Sequence, residues 1–143
     1  MSGRVRIERD RAVAIVTVDN PPVNALADEV IDALEAAGRE LAADDDVRAV
    51  VLTGAGEKAF LAGADLEEFA ARLETGEGIE AHAKATRRCL EVWETLPQPV
   101  VAAVQAHAMG GGLEVALVCD LVVADPAARF GTPEIRLGLM PGA

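Results

Sequence analysis

Short apolar runs alternate with amphipathic helical stretches along most of this chain, and that alternation decides the fold class before any single residue is weighed. Val5 and Ile7 alternate with charged residues, the pattern of a half-buried strand, and Arg9-Asp10-Arg11 reads as a polar turn. Residues 12–18 are apolar on both faces, as in a central strand. Asn20-Pro21-Pro22 stops them, because proline has no amide to give to a ladder. Leu26, Val30, Leu34, Ala37 and Leu41 then recur at helical spacing, with charges on the opposite face. Residues 49–52 read as a buried strand closed by Thr53-Gly54-Ala55-Gly56. Phe60 to Ala64 leads into a short helix from Asp65, broken at Gly76-Glu77-Gly78. Ile79, Ala83, Leu90, Trp93 and Leu96 mark a second long helix that ends at Pro97 and Pro99. A strand over 100–104, a short apolar helix from Gly110 to about Val118, and a strand over 121–124 complete the order. The class is α/β, with parallel pairing across the helical crossovers, in one domain over residues 1–143.

Composition then removes several functions. Lys plus Arg number 13 against 24 Asp plus Glu, a net charge of -11, and aromatics make up only 3% with no Tyr. Such a chain has neither the basic footprint nor the stacking residues of a nucleic-acid binder. No run of about 18 apolar residues is present, so no membrane insertion is expected. The start, Met1-Ser2-Gly3-Arg4, has no apolar stretch of a signal peptide, which points to a cytoplasmic location. Cys89 and Cys119 stand in apolar surroundings and read as small core residues in a reducing compartment, not as a disulfide or a metal site. Residues 137–140 are apolar and in want of a partner just before Pro141-Gly142-Ala143, so the chain is expected to be cut inside its domain.

Glu114 is the strongest chemical anomaly. Between His107 and Asp120 it is the only ionisable group besides the Cys119 thiol. Burial of an unpaired carboxylate costs several kcal/mol; the plain alternative is a glutamate favouring the dipole at a helix start. Gly110-Gly111-Gly112 ahead of it would leave backbone amides open to a ligand, and one such donor to a developing oxyanion is worth about 2.7–4 kcal/mol. Ala62-Gly63-Ala64-Asp65 is a second loop-to-helix junction, where Asp65 and Glu68 have capping-box spacing. Glu134 after Pro133 reads by itself as a solvent-facing helix start. His82 and His107 are isolated and read as structural or solvent-facing.

Taken together, these segments resemble the enoyl-CoA hydratase/isomerase (crotonase) family. Phe60-Leu61-Ala62-Gly63-Ala64-Asp65-Leu66 is similar to the family's A-F-x-A-G-A-D-[IL] segment. Pro99 to Val104 with His107 to Glu114 resembles P-V-I-A-A-V-x-G-x-A-x-G-G-G-x-E. Residues 116–120, Arg129 to Ile135, Gly138 to Gly142 and Asn24-Ala25-Leu26 continue the likeness, in order, over essentially the whole chain. The resemblance implies a spiral of repeated strand–strand–helix units, with the C-terminal helices missing here. It implies an acyl-CoA thioester substrate bound along Asn24, Ala25, Leu26, Ala62, Gly63, Ala64, Asp65, Leu66, Gly110 and Gly111. The family's two oxyanion amides fall on Ala64 and Gly111, and its two hydratase glutamates on Glu114 and Glu134.

What the resemblance implies is an enoyl-CoA hydratase, a lyase of fatty acid or related acyl-CoA breakdown that adds water syn across a 2-enoyl thioester. No metal and no separate cofactor is implied, coenzyme A being part of the substrate. The full-length chain would be a homotrimer or a dimer of trimers. An isomerase or another crotonase-type acyl-CoA enzyme is the alternative within the family. A truncated, non-catalytic CoA-binding subunit is the alternative outside catalysis. Glu67 stands where many members carry a lysine, so Arg11, Lys58, Arg87 or Arg88 would have to meet the CoA phosphates.

Overall fold

The computed structural model describes residues 4–142; the reading of Met1–Gly3 as free of a leader, and Ala143, lie outside them. Strands β1 (Val5–Asp10) and β2 (Val13–Val18) form an antiparallel hairpin in which Val5 faces Val18 and Asp10 faces Val13. The first strand therefore runs through the expected turn, and the chain reverses at Arg11, whose φ is 55°. Helix α1 (Asp28–Ala42) crosses over to β3 (Ala49–Gly54), parallel to β2. After β4 (Ala59–Leu61), helices α2 (Leu66–Thr75) and α3 (Ile79–Glu94) lead to β5 (Val100–Val104), parallel to β3. After β6 (His107–Met109), helix α4 (Gly111–Leu117) leads to β7 (Leu121–Ala124), parallel to β5. Strand β8 (Phe130–Gly131) and a 3-10 helix, Pro133–Leu137, follow.

Two sheets result, one ordered β1-β2-β3-β5-β7 and a smaller one ordered β4-β6-β8. After the β1–β2 hairpin and α1, each turn of chain supplies one strand to the large sheet, one to the small sheet, and then helical structure. The spiral of strand–strand–helix units is therefore present. The sequence reading missed all of the small sheet: its strands have two or three residues, too few for a period to show, and their existence depends on parallel neighbours distant in sequence.

The core lies between the large sheet and the long helices. Val16, Val50, Leu52, Ala102 and Val104 are fully or almost fully buried, as are Leu34, Leu41 and Trp93. Trp93 also donates its indole N–H to the Leu34 carbonyl at 3.2 Å, which ties α3 to α1. Gly38 permits this approach, since a methyl there would fall 2.6 Å from Val92 Cγ1. At the far end of the sheet, all four residues of β7 are exposed.

A second close approach seats α4. A methyl on Gly112 would fall 2.1 Å from the Leu61 carbonyl oxygen, and backbone cannot step aside as a side chain can. Gly112→Ala is expected to cost about 3 kcal/mol, the upper end for overpacking, read as a lower denaturation midpoint in urea.

Cys89 is buried, as expected, but Cys119 is only partly so, with its thiol donating to the Val115 carbonyl at 3.3 Å. Burial pushes both thiols up to about 12, helped by Glu35 and Asp32 near Cys89 and by Asp120 near Cys119. Both thiols are expected to resist iodoacetamide at pH 8 in the folded protein and to react after unfolding, checked by mass.

Candidate active site

The small sheet builds the site. Its three strands are parallel, and the chain leaves their carboxyl ends carrying Ala62–Ala64, Gly110–Gly111 and Pro133–Glu134 respectively. Ligands in open α/β structures commonly sit outside the carboxyl ends of strands.

Gly63 has φ +89°, and a methyl there would fall 2.8 Å from the Met109 carbonyl oxygen and 3.3 Å from the Gly111 nitrogen. The first and second loops are thus in direct backbone contact. On the other side, Leu26 donates its amide to the Gly63 carbonyl at 2.7 Å and forms an isolated parallel bridge with Ala64. Asn24 holds this junction from beneath. Its side-chain amide donates to the carbonyls of Ala55, Ala59 and Phe60, and its oxygen accepts the Asn20 amide at 3.0 Å. Asp65 caps α2 by accepting from the Glu67 and Glu68 amides, as its spacing predicts. The reciprocal half of the box is not made, because Glu68 Oε2 instead accepts the Asp28 amide at 3.1 Å and so caps α1.

The two glutamates arrive from different elements. Glu114 stands in the first turn of α4, part-buried, with Oε2 3.9 Å from where a methyl on Gly111 would lie. Glu134 stands in the 3-10 helix, set by Pro133 at its start and by the Gly110 amide donating to the Gly131 carbonyl at 2.8 Å. Glu134 Oε1 lies 2.6 Å from where a methyl on Gly110 would be. Glu134 Oε2 is buried without a hydrogen-bond partner among the described residues. That differs from the solvent-facing role its local sequence suggests, and the reason is tertiary: β8 pairs with β6, which brings the Glu134 side chain against Gly110.

A cavity of about 540 Å³ opens onto this point. Of the residues expected at the site, Leu26, Ala62, Gly63, Ala64, Leu66, Gly110, Gly111, Glu114 and Glu134 line it, while Asn24, Ala25 and Asp65 do not. Among the described residues, no backbone carbonyl accepts from the Ala64 or Gly111 amide. Sequence reading missed the far wall. It comprises Ile31 and Phe69, Ile79, His82 and Thr86 of α3, and Arg136. A helical apolar stripe does not reveal whether it faces a core or a cavity. His82 is held there by Asp28, Nδ1 to Oδ1 at 2.8 Å. Burial pulls the Asp28 carboxyl up, but hydrogen bonds from His82 and Arg72 outweigh it and leave it below the usual carboxylate range. Arg88, one candidate for the CoA phosphates, is engaged with Glu35 at 2.8 Å, whereas Arg136 is the only Lys or Arg lining the cavity among the described residues.

The double-sheeted spiral, with loops converging from the small sheet onto one cavity, is the crotonase architecture. The chain belongs to the enoyl-CoA hydratase/isomerase family, whose pattern it matches over residues 8–143. It is 42% identical over 142 residues to a short-chain-enoyl-CoA hydratase of Clostridium acetobutylicum, covering 96% of this chain and 52% of that one. It is 39% identical over 145 residues to a peroxisomal fatty acid beta-oxidation multifunctional protein of Oryza sativa, covering 99% of this chain and 20% of that one. A crystal structure of enoyl-CoA hydratase from Bacillus anthracis superposes with TM-score 0.92 at 35% identity, over 98% of this chain and 54% of that one. The chain spans about half the length of the hydratases it matches. No helix among the described residues is long and apolar enough to cross a membrane.

Proposed function

We propose that this polypeptide carries the catalytic centre of an enoyl-CoA hydratase. The observation that carries the reading is the convergence of two carboxylates, Glu114 and Glu134, on the Gly110–Gly111 backbone at the mouth of one mainly apolar cavity. The thioester carbonyl would be held by the amides of Ala64 and Gly111, which no backbone carbonyl engages among the described residues. Glu114 takes a proton from water while the water oxygen bonds to the β-carbon. The π electrons move to the thioester oxygen, where the two amides stabilise the enolate charge. Glu134, protonated at the start, gives its proton to the α-carbon, and the thioester carbonyl re-forms. The roles reverse in dehydration. Two carboxylates with opposite duties must hold opposite protonation states in the reacting complex. The reaction is redox-neutral and is written without a metal or separate cofactor; coenzyme A enters with the substrate.

Arg136 is the side chain we assign to the CoA phosphates in place of Arg11, Lys58, Arg87 or Arg88, on the strength of its place in the cavity lining. The reading extends to fatty acid or related acyl-CoA breakdown, to a homotrimer or dimer of trimers for the full-length chain, and to a cytoplasmic location. The exposed apolar strand β7 is in keeping with a surface covered in an assembly.

Incubation with a 2-enoyl-CoA and, separately, a 3-enoyl-CoA tests the reading by product analysis. Formation of 3-hydroxyacyl-CoA from the 2-enoyl substrate is expected. Conversion of the 3-enoyl to the 2-enoyl thioester without hydration would assign the chain to the isomerases instead, and binding without turnover would make it a CoA-binding subunit.

A further inference from the structure

We propose that His82 is a specificity-determining residue that reads a hydroxyl group on the acyl chain of the substrate. The proposal rests on the reading of the cavity as an acyl-thioester site. His82 is the only histidine lining the cavity among the described residues, and its side chain is 15% exposed. Asp28, which binds its Nδ1, is not part of the cavity lining. The ring therefore stands between an anchoring carboxylate outside the lining and the cavity that it lines, and Nε2 is the nitrogen left for a ligand.

The anchor is well made. Asp28 also pairs with Arg72, whose side chain is 14% exposed, and Arg72 in turn reaches Glu68 Oε2 at 3.2 Å. That same Glu68 oxygen accepts the Asp28 amide. Four side chains thus brace α1, α2 and α3 together at the point where the ring enters the wall. An ionised Asp28 requires a hydrogen on Nδ1, as in carboxylate–imidazole pairs generally, and so fixes the tautomer of the neutral ring. Nε2 then accepts when the ring is neutral and donates when it is charged. It has no protein partner among the described residues.

Its neighbours decide the ligand. Ile79, Ala83, Ile31 and Phe69 make the surrounding wall apolar. An alkyl chain laid over Nε2 would strip its water and return nothing, which is costly for a polar atom. A hydroxyl both donates and accepts, so it satisfies Nε2 in either protonation state. Apolar pockets obtain their selectivity from a few such placed groups.

The test is calorimetric binding of saturated acyl-CoA thioesters, which cannot be hydrated, in pairs of equal chain length with and without a terminal hydroxyl. Across the series, at least one chain length is expected to favour the hydroxylated member about tenfold or more. His82→Leu is expected to remove or reverse that preference, and His82→Gln, which can still accept and donate, to restore part of it. Equal affinities at every length, or a preference that survives His82→Leu, would overturn the inference. Hydration of 2-enoyl-CoA is measured in parallel. Binding preference without turnover would sink the hydratase reading and leave this one standing, whereas turnover without preference would do the reverse. Failure of every thioester to bind would sink both.

Discussion

Replacing Glu114 by Gln is expected to lower hydration of a 2-enoyl-CoA by about 10²–10⁴-fold, the usual contribution of a positioned acid or base. Glu134→Gln is expected to fall in the same range. Glutamine keeps the volume and a hydrogen-bonding end but can neither take a proton from water nor give one to carbon. Because the proposed mechanism has both carboxylates act on one water and one enolate, the double variant should lose much less than the product of the single losses. KM should change little, since neither side chain is assigned to the CoA moiety. The two losses should also differ in one diagnostic reaction. Exchange of the α-hydrogen of the 3-hydroxyacyl product with solvent runs through Glu134, so Glu134→Gln should suppress it at least as strongly as hydration. Equal rates for wild type and either variant, measured from the disappearance of the enoyl thioester absorbance, would remove that residue from the mechanism.

Gly110→Ala is the second large effect expected, and it acts without touching any reacting group. Gly110 has φ +53°, and a methyl there would fall 2.6 Å from Glu134 Oε1. With ψ at -129° this is a backbone conformation that residues with a side chain rarely adopt, and it costs about 1–3 kcal/mol when one is present. The carboxylate must also move, together with the loop that presents the Gly111 amide. Displacement by about 1 Å of a group aligned for reaction can cost about 10²-fold, and kcat should fall by at least that. Gly131→Ala provides the control. Its methyl would meet only Met109 Sδ, at 3.4 Å, the movable end of a side chain. It should retain nearly full kcat and an unchanged circular dichroism spectrum. A Gly110→Ala protein with wild-type kcat would show that neither the Glu134 position nor the Gly111 amide limits the chemistry.

The large sheet and the long helices were legible in the sequence because each carries its own period. Residues 12–18 read as a central strand and 100–104 as a strand, and β2 (Val13–Val18) and β5 (Val100–Val104) are found there, while Leu26, Val30, Leu34 and Leu41 do face a core. Glu114 was legible as an isolated charge in an apolar helix. The small sheet was not, although it is what gathers the site. Its strands become strands only by pairing, and Phe130–Gly131 carries no periodicity at all. For the same reason Glu134 looked like a surface residue until β8 took its place beside β6. Asn24 was legible as part of a motif, but not in its contacts: its side chain joins the Ala55–Phe60 segment to the loop before α1 rather than lining the cavity. His82 and Arg136 gave no local signal, because only the packing of α3 and the 3-10 helix around the cavity sets them apart from other polar helix residues.

In the proposed mechanism one face of the acyl chain meets both carboxylates while the thioester oxygen meets the Ala64 and Gly111 amides. The most direct test of this arrangement is hydration of a 2-enoyl-CoA in deuterium oxide, with the product examined by NMR. The expected product is a 3-hydroxyacyl-CoA bearing a single deuterium on the α-carbon, on the same face as the new oxygen. Anti placement of deuterium and oxygen, a mixture of the two, or an enoyl thioester left unchanged by the protein would contradict it.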